Sequence, residues 1–418
     1  MNVTTKRLVR DAAIIAGNTL VLLVVLELLL RLIRPELATD WRSHLIAYEA
    51  NPHFGIELRA NVSKEYPRLA LNGGEATRWS TNSHGFRGEE LAADPEYRIV
   101  VYGDSNVQAR FSNDPETFAV RLEERLTART GVDVEVVNAG VVGFGPDQSV
   151  IRLGLEADAL QPDLALLHVF ADNDFGDIVR NRLLELADGE LVPTGHPVTL
   201  DKKLEGKLGL AGTREAIRKS LAIRALLREF RKSREPPEPE TRDPDETIDR
   251  FVKKAAREWS VYANGEARQF SHFADHYDID IAIAPDSDSA TEKLRLMESV
   301  LRRARDTAAE HGFDLLVVIQ PSVVDLSRNS WFSYEDLGKY PEYDRSRLTA
   351  AVAAICARND IDFVDLYADF AANEPDALFF RRSNNHWNDA GQDLAARVVT
   401  DHMADRIPTS QRQRADAR

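Results

Sequence analysis

The run Arg98-Ile99-Val100-Val101-Tyr102 is apolar and β-branched, and it stops abruptly at Gly103-Asp104-Ser105-Asn106. Four or five such residues ending in small turn-formers predict a buried strand that delivers Ser105 to its carboxyl end. Open α/β sheets place their chemistry there. A serine that also opens a helix sits beside backbone N–H groups able to receive an oxyanion, so Ser105 is the candidate nucleophile. Taken alone, the tripeptide is equally a turn and a helix cap.

The chain beyond Ser105 repeats the pattern. Phe118, Leu122 and Leu126 mark one helical face within Phe118–Arg129, and a second strand, Asp133–Val137, runs into Asn138-Ala139-Gly140-Val141-Val142-Gly143. The glycines in that loop follow a G-x-x-G-x-G order rather than G-x-G-x-x-G, which excludes a dinucleotide fingerprint. A third strand, Leu164–Phe170, ends at Asp172-Asn173-Asp174, where Asn173 is either an oxyanion donor or an Asx turn. Helical patterns at Glu292–His311 and Arg345–Arg358 precede strand signals at Asp314–Gln320 and Ile361–Leu366. Strands alternating with helices predict an α/β protein with a five-stranded parallel sheet covered on both faces. His386, in the loop before a closing helix Gln392–Met403, reaches the same sheet edge as Ser105 and is the candidate general base.

Between the third and fourth strands lies an interval, about Val179 to Ser289, too long for a simple connection. It reads as a mainly helical insertion with a basic helix, Thr213–Arg234, and an acidic, proline-rich linker, Glu235–Glu246. It is expected to govern substrate choice and to carry no residue needed for the chemical step. His272 and His276 are four apart with Asp275, Asp278 and Asp280 nearby, but the cluster lacks a zincin pattern and no metal is expected.

Charge and hydropathy set the surroundings. With 53 Lys plus Arg against 68 Asp plus Glu, the formal charge of −15 argues against nucleic acid as a partner. The single Cys356 lies in an apolar helix pattern and reads as a buried small hydrophobe. Ala12 to Leu30 is nearly all apolar, follows Lys6, Arg7 and Arg10, and has no small-residue cleavage signal after it. The length suits a membrane span, and an uncleaved signal anchor is expected, with the N-terminus cytoplasmic and the bulk of the chain outside. Residues 36–96 are mixed, and Thr81–Glu89 reads as a polar surface loop.

Gly103-Asp104-Ser105, Asn138–Gly143, Asp172-Asn173-Asp174 and the loop holding His386, taken in order, resemble the SGNH, or GDSL, hydrolase superfamily over about Tyr97 to Asp405 apart from the insertion. The anchor and the Phe86-Arg87-Gly88 loop are similar to membrane-anchored bacterial members. The resemblance implies a three-layer α/β/α flavodoxin-like fold, Ser105 as nucleophile, His386 as base, and an oxyanion hole from the Ser105 N–H, Gly143 and Asn173, with no cofactor. It implies a serine esterase acting on an O-acyl ester, such as an O-acetyl group on an envelope glycan, at the periplasmic face of the inner membrane. An O-acyltransferase or a catalytically degenerate glycan-binding protein is the alternative. In one respect the chain departs: the family's Asp two or three residues before its histidine is replaced by Asn384 and Ser383. Ser383, Asn384 or a backbone carbonyl is left to orient His386. The expected organisation is an anchor at 1–35, a juxtamembrane segment at 36–96, a hydrolase domain split into 97–180 and 290–405, the insertion at 181–289 and a polar tail at 406–418.

Overall fold

The structure, a computed structural model, describes residues 47–67, 76–195, 246–265, 276–327, 332–333, 337–380 and 385–408, with scattered positions between Arg7 and Leu29. The chain forms two compact units, 1–46 with 206–242 and 47–205 with 243–418. In the first, the described positions between Arg7 and Leu29 are helical, and Ile15 and Leu22 are exposed. Among the described residues no helix is long and apolar enough to cross a membrane. The basic helix expected at 213–234 lies outside the described residues.

In the second unit, the segment expected to be irregular forms two antiparallel hairpins, β1 (Tyr48–Asn51) with β2 (Gly55–Leu58) and β3 (Ser63–Pro67) with β4 (Ala76–Ser80). The loop that follows is only partly a surface loop, with Ser83, His84 and Glu89 exposed. Asn82 and Arg87 are buried, and the Arg87 guanidinium binds Asp114 and the carbonyls of Gln108 and Ser112. Burying an arginine requires that its donors be met, and these acceptors come from the turn beyond Ser105. Residues far apart in sequence supply them, so composition alone pointed the wrong way.

The core sheet comprises β5 (Tyr97–Tyr102), β6 (Val134–Asn138), β7 (Leu164–Ala171), β10 (Asp314–Pro321) and β11 (Asp362–Asp365). A small antiparallel pair, β8 (Leu184–Ala187) with β9 (Glu190–Pro193), lies outside it. Every pairing in the sheet is parallel, and the spatial order is β11-β10-β7-β5-β6. Relabelled by sequence, that is 2-1-3-4-5 read from the β6 edge, the flavodoxin-like order. Side chains alternate between the faces as period-2 geometry requires. Val100, Leu167 and Val169 meet α3 (Pro146–Leu160), α7 (Asp288–His311) and α9 (Arg347–Arg358). Ile99, Val101 and Leu166 meet α2 (Phe118–Thr130) and α11 (Asp389–Met403) on the other face. All eight residues of β7 are buried, which is why seven of them are apolar; the exception, His168, is paired with Gln320 of β10 at 2.8 Å. Cys356 is fully buried on α9, and burial pushes its thiol up to about 12.

The helices begin and end where local chemistry predicts. Thr117 caps α2 through the Val120 N–H and Ser287 caps α7 through the Ala290 N–H, each worth about 1 kcal/mol. Gly131 and Gly312 close the same two helices in the left-handed region.

Gly140 is set by space rather than by dihedral freedom. A Cβ there would stand 2.4 Å from the Gln108 nitrogen and 2.7 Å from Val107 Cβ. Gly140→Ala should therefore cost about 1–3 kcal/mol by overpacking and disturb the turn that holds Ser105. In α3, Gly154 would meet only Thr307 Cγ2, at 4.0 Å. Gly154→Ala should gain about 0.5–1 kcal/mol from helix propensity. Denaturant melts of the two variants check both signs.

Candidate active site

Because β6 and β7 flank β5 on opposite sides, the chain reverses its winding direction between β5 and β7, and a crevice opens at their carboxyl ends. Ser105 opens the short helix α1 (Ser105–Gln108) just beyond β5. Asp104 caps that helix, accepting the Asn106 N–H at 2.8 Å and the Asn106 side-chain amide at 3.1 Å. Asn173 follows β7 and precedes α4 (Asp174–Asn181). The Ser105 N–H makes no hydrogen bond among the described residues, as expected for the first donor of a helix.

His386 comes from the far end of the chain and reaches Ser105. Its Nε2 lies 2.6 Å from Ser105 Oγ. The loop carrying it is closed by Phe380 N–H to the His386 carbonyl and Asn388 N–H to the Leu378 carbonyl, both 3.0 Å. It is fastened to the nucleophile turn by the Trp387 N–H, which donates to Asn106 Oδ1 at 3.1 Å. From α11, Gln392 Nε2 donates to the Asn106 carbonyl at 3.0 Å. Phe111 packs edge-on against the imidazole at 5.8 Å. Burial, helped by the nearby Arg110 charge, lowers the His386 pKa to about 3. It is therefore neutral at ordinary pH and able to accept a proton.

Two further tethers were not legible in the sequence. Asp172 accepts from Asn385 Nδ2 at 3.2 Å and from the Ser322 hydroxyl, so β7 and β10 together hold the residue next to His386. Burial raises the Asp172 carboxyl to about 6. Asn173 donates its Nδ2 to Asp177 at 2.8 Å, while its Oδ1 is buried with no hydrogen-bond partner among the described residues. An amide nitrogen carries two hydrogens, so one remains for a ligand. The only local hint of these roles was the density of Asp and Asn at the strand end.

A cavity of about 210 Å3 opens over Ser105. Gly143, whose φ of 71° is in the left-handed region, lines it together with Asn173 and His386. The four sequence candidates Ser105, Gly143, Asn173 and His386 thus meet in one place. Ser383 and Asn384 lie outside the described residues. The insertion contributes too: Phe251 and Lys254 of α5 (Ile248–Ala263), and His276 with Tyr277, form the opposing wall. His276 pairs with Glu258 at 3.2 Å, while Asp278 and Asp280 hold Lys293 at 2.8 and 3.1 Å. These side chains therefore serve an internal ion network, and no metal-holding group of three occurs among the described residues. His272 and Asp275 are not among them.

Residues 281–418 match the family described as the SGNH hydrolase-like domain of the acetyltransferase AlgX. The match takes in β10, β11, His386 and α11, and begins after Ser105. Among solved structures, a lipase/acylhydrolase from Enterococcus faecalis is similar at 13% identity and a TM-score of 0.35, over 74% of this chain and 96% of that one. The psychrotrophic esterase EstA from Pseudoalteromonas sp. gives 12% and 0.35, over 74% and 98%. An acetyl xylan esterase, AlAXEase, gives 13% and 0.35, over 73% and 98%. No curated protein matches in sequence.

The lowered His386 pKa fixes two signs. Above pH 6.5 the histidine is neutral in both folded and unfolded chains, and its contribution to stability is complete. As pH falls from 6.5 toward 3, the unfolded chain gains a proton that the folded one refuses, so stability declines. The acid limb of any Ser105-dependent rate should correspondingly lie below 6.5 rather than at the value of a free imidazole. Asn385→Ala, which severs the tie to Asp172, should lower kcat about tenfold, since a hydrogen bond to a charged group is worth about 1.5–3 kcal/mol. A pH–rate series on the parent and this variant measures both.

Proposed function

We propose that this chain is a serine esterase that takes an acyl group from an O-acyl ester onto Ser105 and passes it to water. The observation that supports it most is the 2.6 Å contact from His386 Nε2 to Ser105 Oγ, beside a Ser105 N–H that makes no hydrogen bond among the described residues. In the first half-reaction, Oγ forms a bond to the ester carbonyl carbon as its proton passes to Nε2. The oxyanion so formed is received by the Ser105 N–H, the Gly143 backbone and the second Nδ2 hydrogen of Asn173. The ester C–O bond then breaks, and the leaving alkoxide takes the proton from His386. Water, with His386 as base, attacks the acyl-serine and restores the hydroxyl.

The cavity of about 210 Å3 has room for a short acyl group and part of its carrier. It falls below the usual range for drug-sized ligands, roughly 300–1,000 Å3. A longer carrier, an envelope glycan in this reading, extends outside it. The apolar stretch Ala12–Leu30 anchors the chain in the inner membrane and leaves the esterase domain on the periplasmic side. The family match favours a second reading, in which a sugar hydroxyl replaces water and the same acyl-serine serves an O-acyltransferase.

The experiment is labelling of the full chain with a fluorophosphonate, alongside p-nitrophenyl acetate turnover. Parent enzyme should label and turn over, and Ser105→Ala and His386→Ala should each abolish turnover. Equal rates in parent and both variants would sink the enzyme reading. Adding a sugar acceptor separates the two resolutions of the acyl-serine: a transferase accumulates acylated sugar at the expense of acetate.

The position two or three residues before His386 carries no carboxylate, and Ser383 or Asn384 stands in its place. In serine proteases, exchanging that carboxylate for an amide costs about four orders of magnitude in kcat, because an amide that donates to the imidazole holds it in the wrong tautomer and cannot stabilise the imidazolium. Ser383→Asp or Asn384→Asp should therefore raise kcat with KM little changed. Parallel kinetics of the two variants with p-nitrophenyl acetate measure the gain.

A further inference from the structure

The insertion between β7 and β10 is joined to Asn173 by a chain of buried charges. Arg180, on α4, donates Nη2 to the Asn173 carbonyl at 2.8 Å. It also grips Asp177 with Nε at 3.1 Å and Nη2 at 2.7 Å. Asp177 in turn accepts the Asn173 side-chain amide at 2.8 Å. The remaining arm, Nη1, donates to Glu258 Oε2 at 2.6 Å. A planar guanidinium has a fixed fork of donors, so one group sets both the backbone and the side chain of Asn173.

Glu258 belongs to the insertion, and it is only 2% exposed. On α5 it lies seven residues after Phe251 and four after Lys254, so the three share a helix face. Phe251 and Lys254 line the cavity over Ser105. The face that walls the cavity is therefore also the face that grips Arg180. Space around the link is tight, for a Cβ at Gly176 would stand 2.4 Å from Arg180 Nη1 and 2.6 Å from Asp278 Oδ1.

The geometry points to Glu258 as a positioning residue: seated against Arg180, it fixes the Asn173 amide through Asp177, so that the insertion completes the oxyanion hole as well as walling the cavity. This rests on the reading of Ser105 as an acyl-transfer nucleophile and adds to it. It also departs from the expectation that the insertion carries nothing the chemical step requires. Glu258 also pairs with Lys293 at 2.9 Å, and charge removal at Glu258 need not collapse the network, because Lys293 keeps Asp278 and Asp280 as partners.

The test is a double-mutant cycle in the full-length chain with p-nitrophenyl acetate, using Glu258→Gln, Asn173→Ala and the two combined, with Tm measured for each. Glu258→Gln should lower kcat about tenfold, leave KM within twofold, and weaken a boronic acid inhibitor in proportion to kcat. In the Asn173→Ala background, Glu258→Gln should change kcat less than twofold, because the group it positions is gone. A full tenfold loss in both backgrounds marks a merely structural role and overturns the proposal, as does unchanged kcat in the single variant. If Glu258→Gln does not fold, Glu258→Asp, which keeps the charge but withdraws it from Arg180, carries the same cycle with the same criteria. A parent whose turnover equals that of Ser105→Ala overturns the esterase reading and this proposal together, whereas an active parent with an additive cycle overturns only the latter.

Discussion

Asn106 is the side chain on which the contact between Ser105 and His386 depends. It follows the nucleophile directly, and each of its polar groups is used: Nδ2 on Asp104, Oδ1 on the Trp387 N–H and the carbonyl on Gln392 Nε2. Ser105 and His386 are separated by 281 residues, yet this one amide bonds to both of their neighbours. A hydroxyl and an imidazole held by flexible loops would lose the 2.6 Å contact to thermal motion. Buried and fully bonded, the amide keeps them in register at little entropic cost, since the residues it joins are already fixed by helix and sheet.

The same economy governs the charges. Burial works against the imidazolium of His386 and against the carboxylate of Asp172, so both groups shift toward their neutral forms. Lys293 goes the other way: its carboxylate partners outweigh desolvation and raise its pKa well above the ordinary range. The two regimes are spatially sorted. Around Lys293, by contrast, opposite charges are packed into contact, with Asp278 at 2.8 Å and Asp280 at 3.1 Å. Arg180 sits at the junction, with Asn173 on one side and the insertion on the other.

Periodicity and turn chemistry made much of this legible. Strand ends at Tyr102, Ala171 and Pro321 fall within a residue of the apolar runs that announce them, because a strand buried on both faces admits polar residues only where they meet a partner, as His168 meets Gln320. The hairpin region before β5 was not legible in this way. Its strands are short, and its burial depends on Arg87 finding acceptors at Gln108, Ser112 and Asp114, which nothing in residues 36–96 reveals.

By itself the sequence determined the alternation of strands and helices, the placement of Ser105, Gly143, Asn173 and His386 at strand ends and loops, and the absence of a carboxylate just before His386. These are local properties, written in spacing and residue type. Only the tertiary structure decided which neighbours hold those residues. Asp172 with Asn385, Asp177 with Asn173 and Glu258 with Arg180 all lie in contact, and two of the three pairs join distant segments. Such pairings form when packing brings two desolvated groups together and each must satisfy the other. A linear pattern shows each partner's chemistry but not its address.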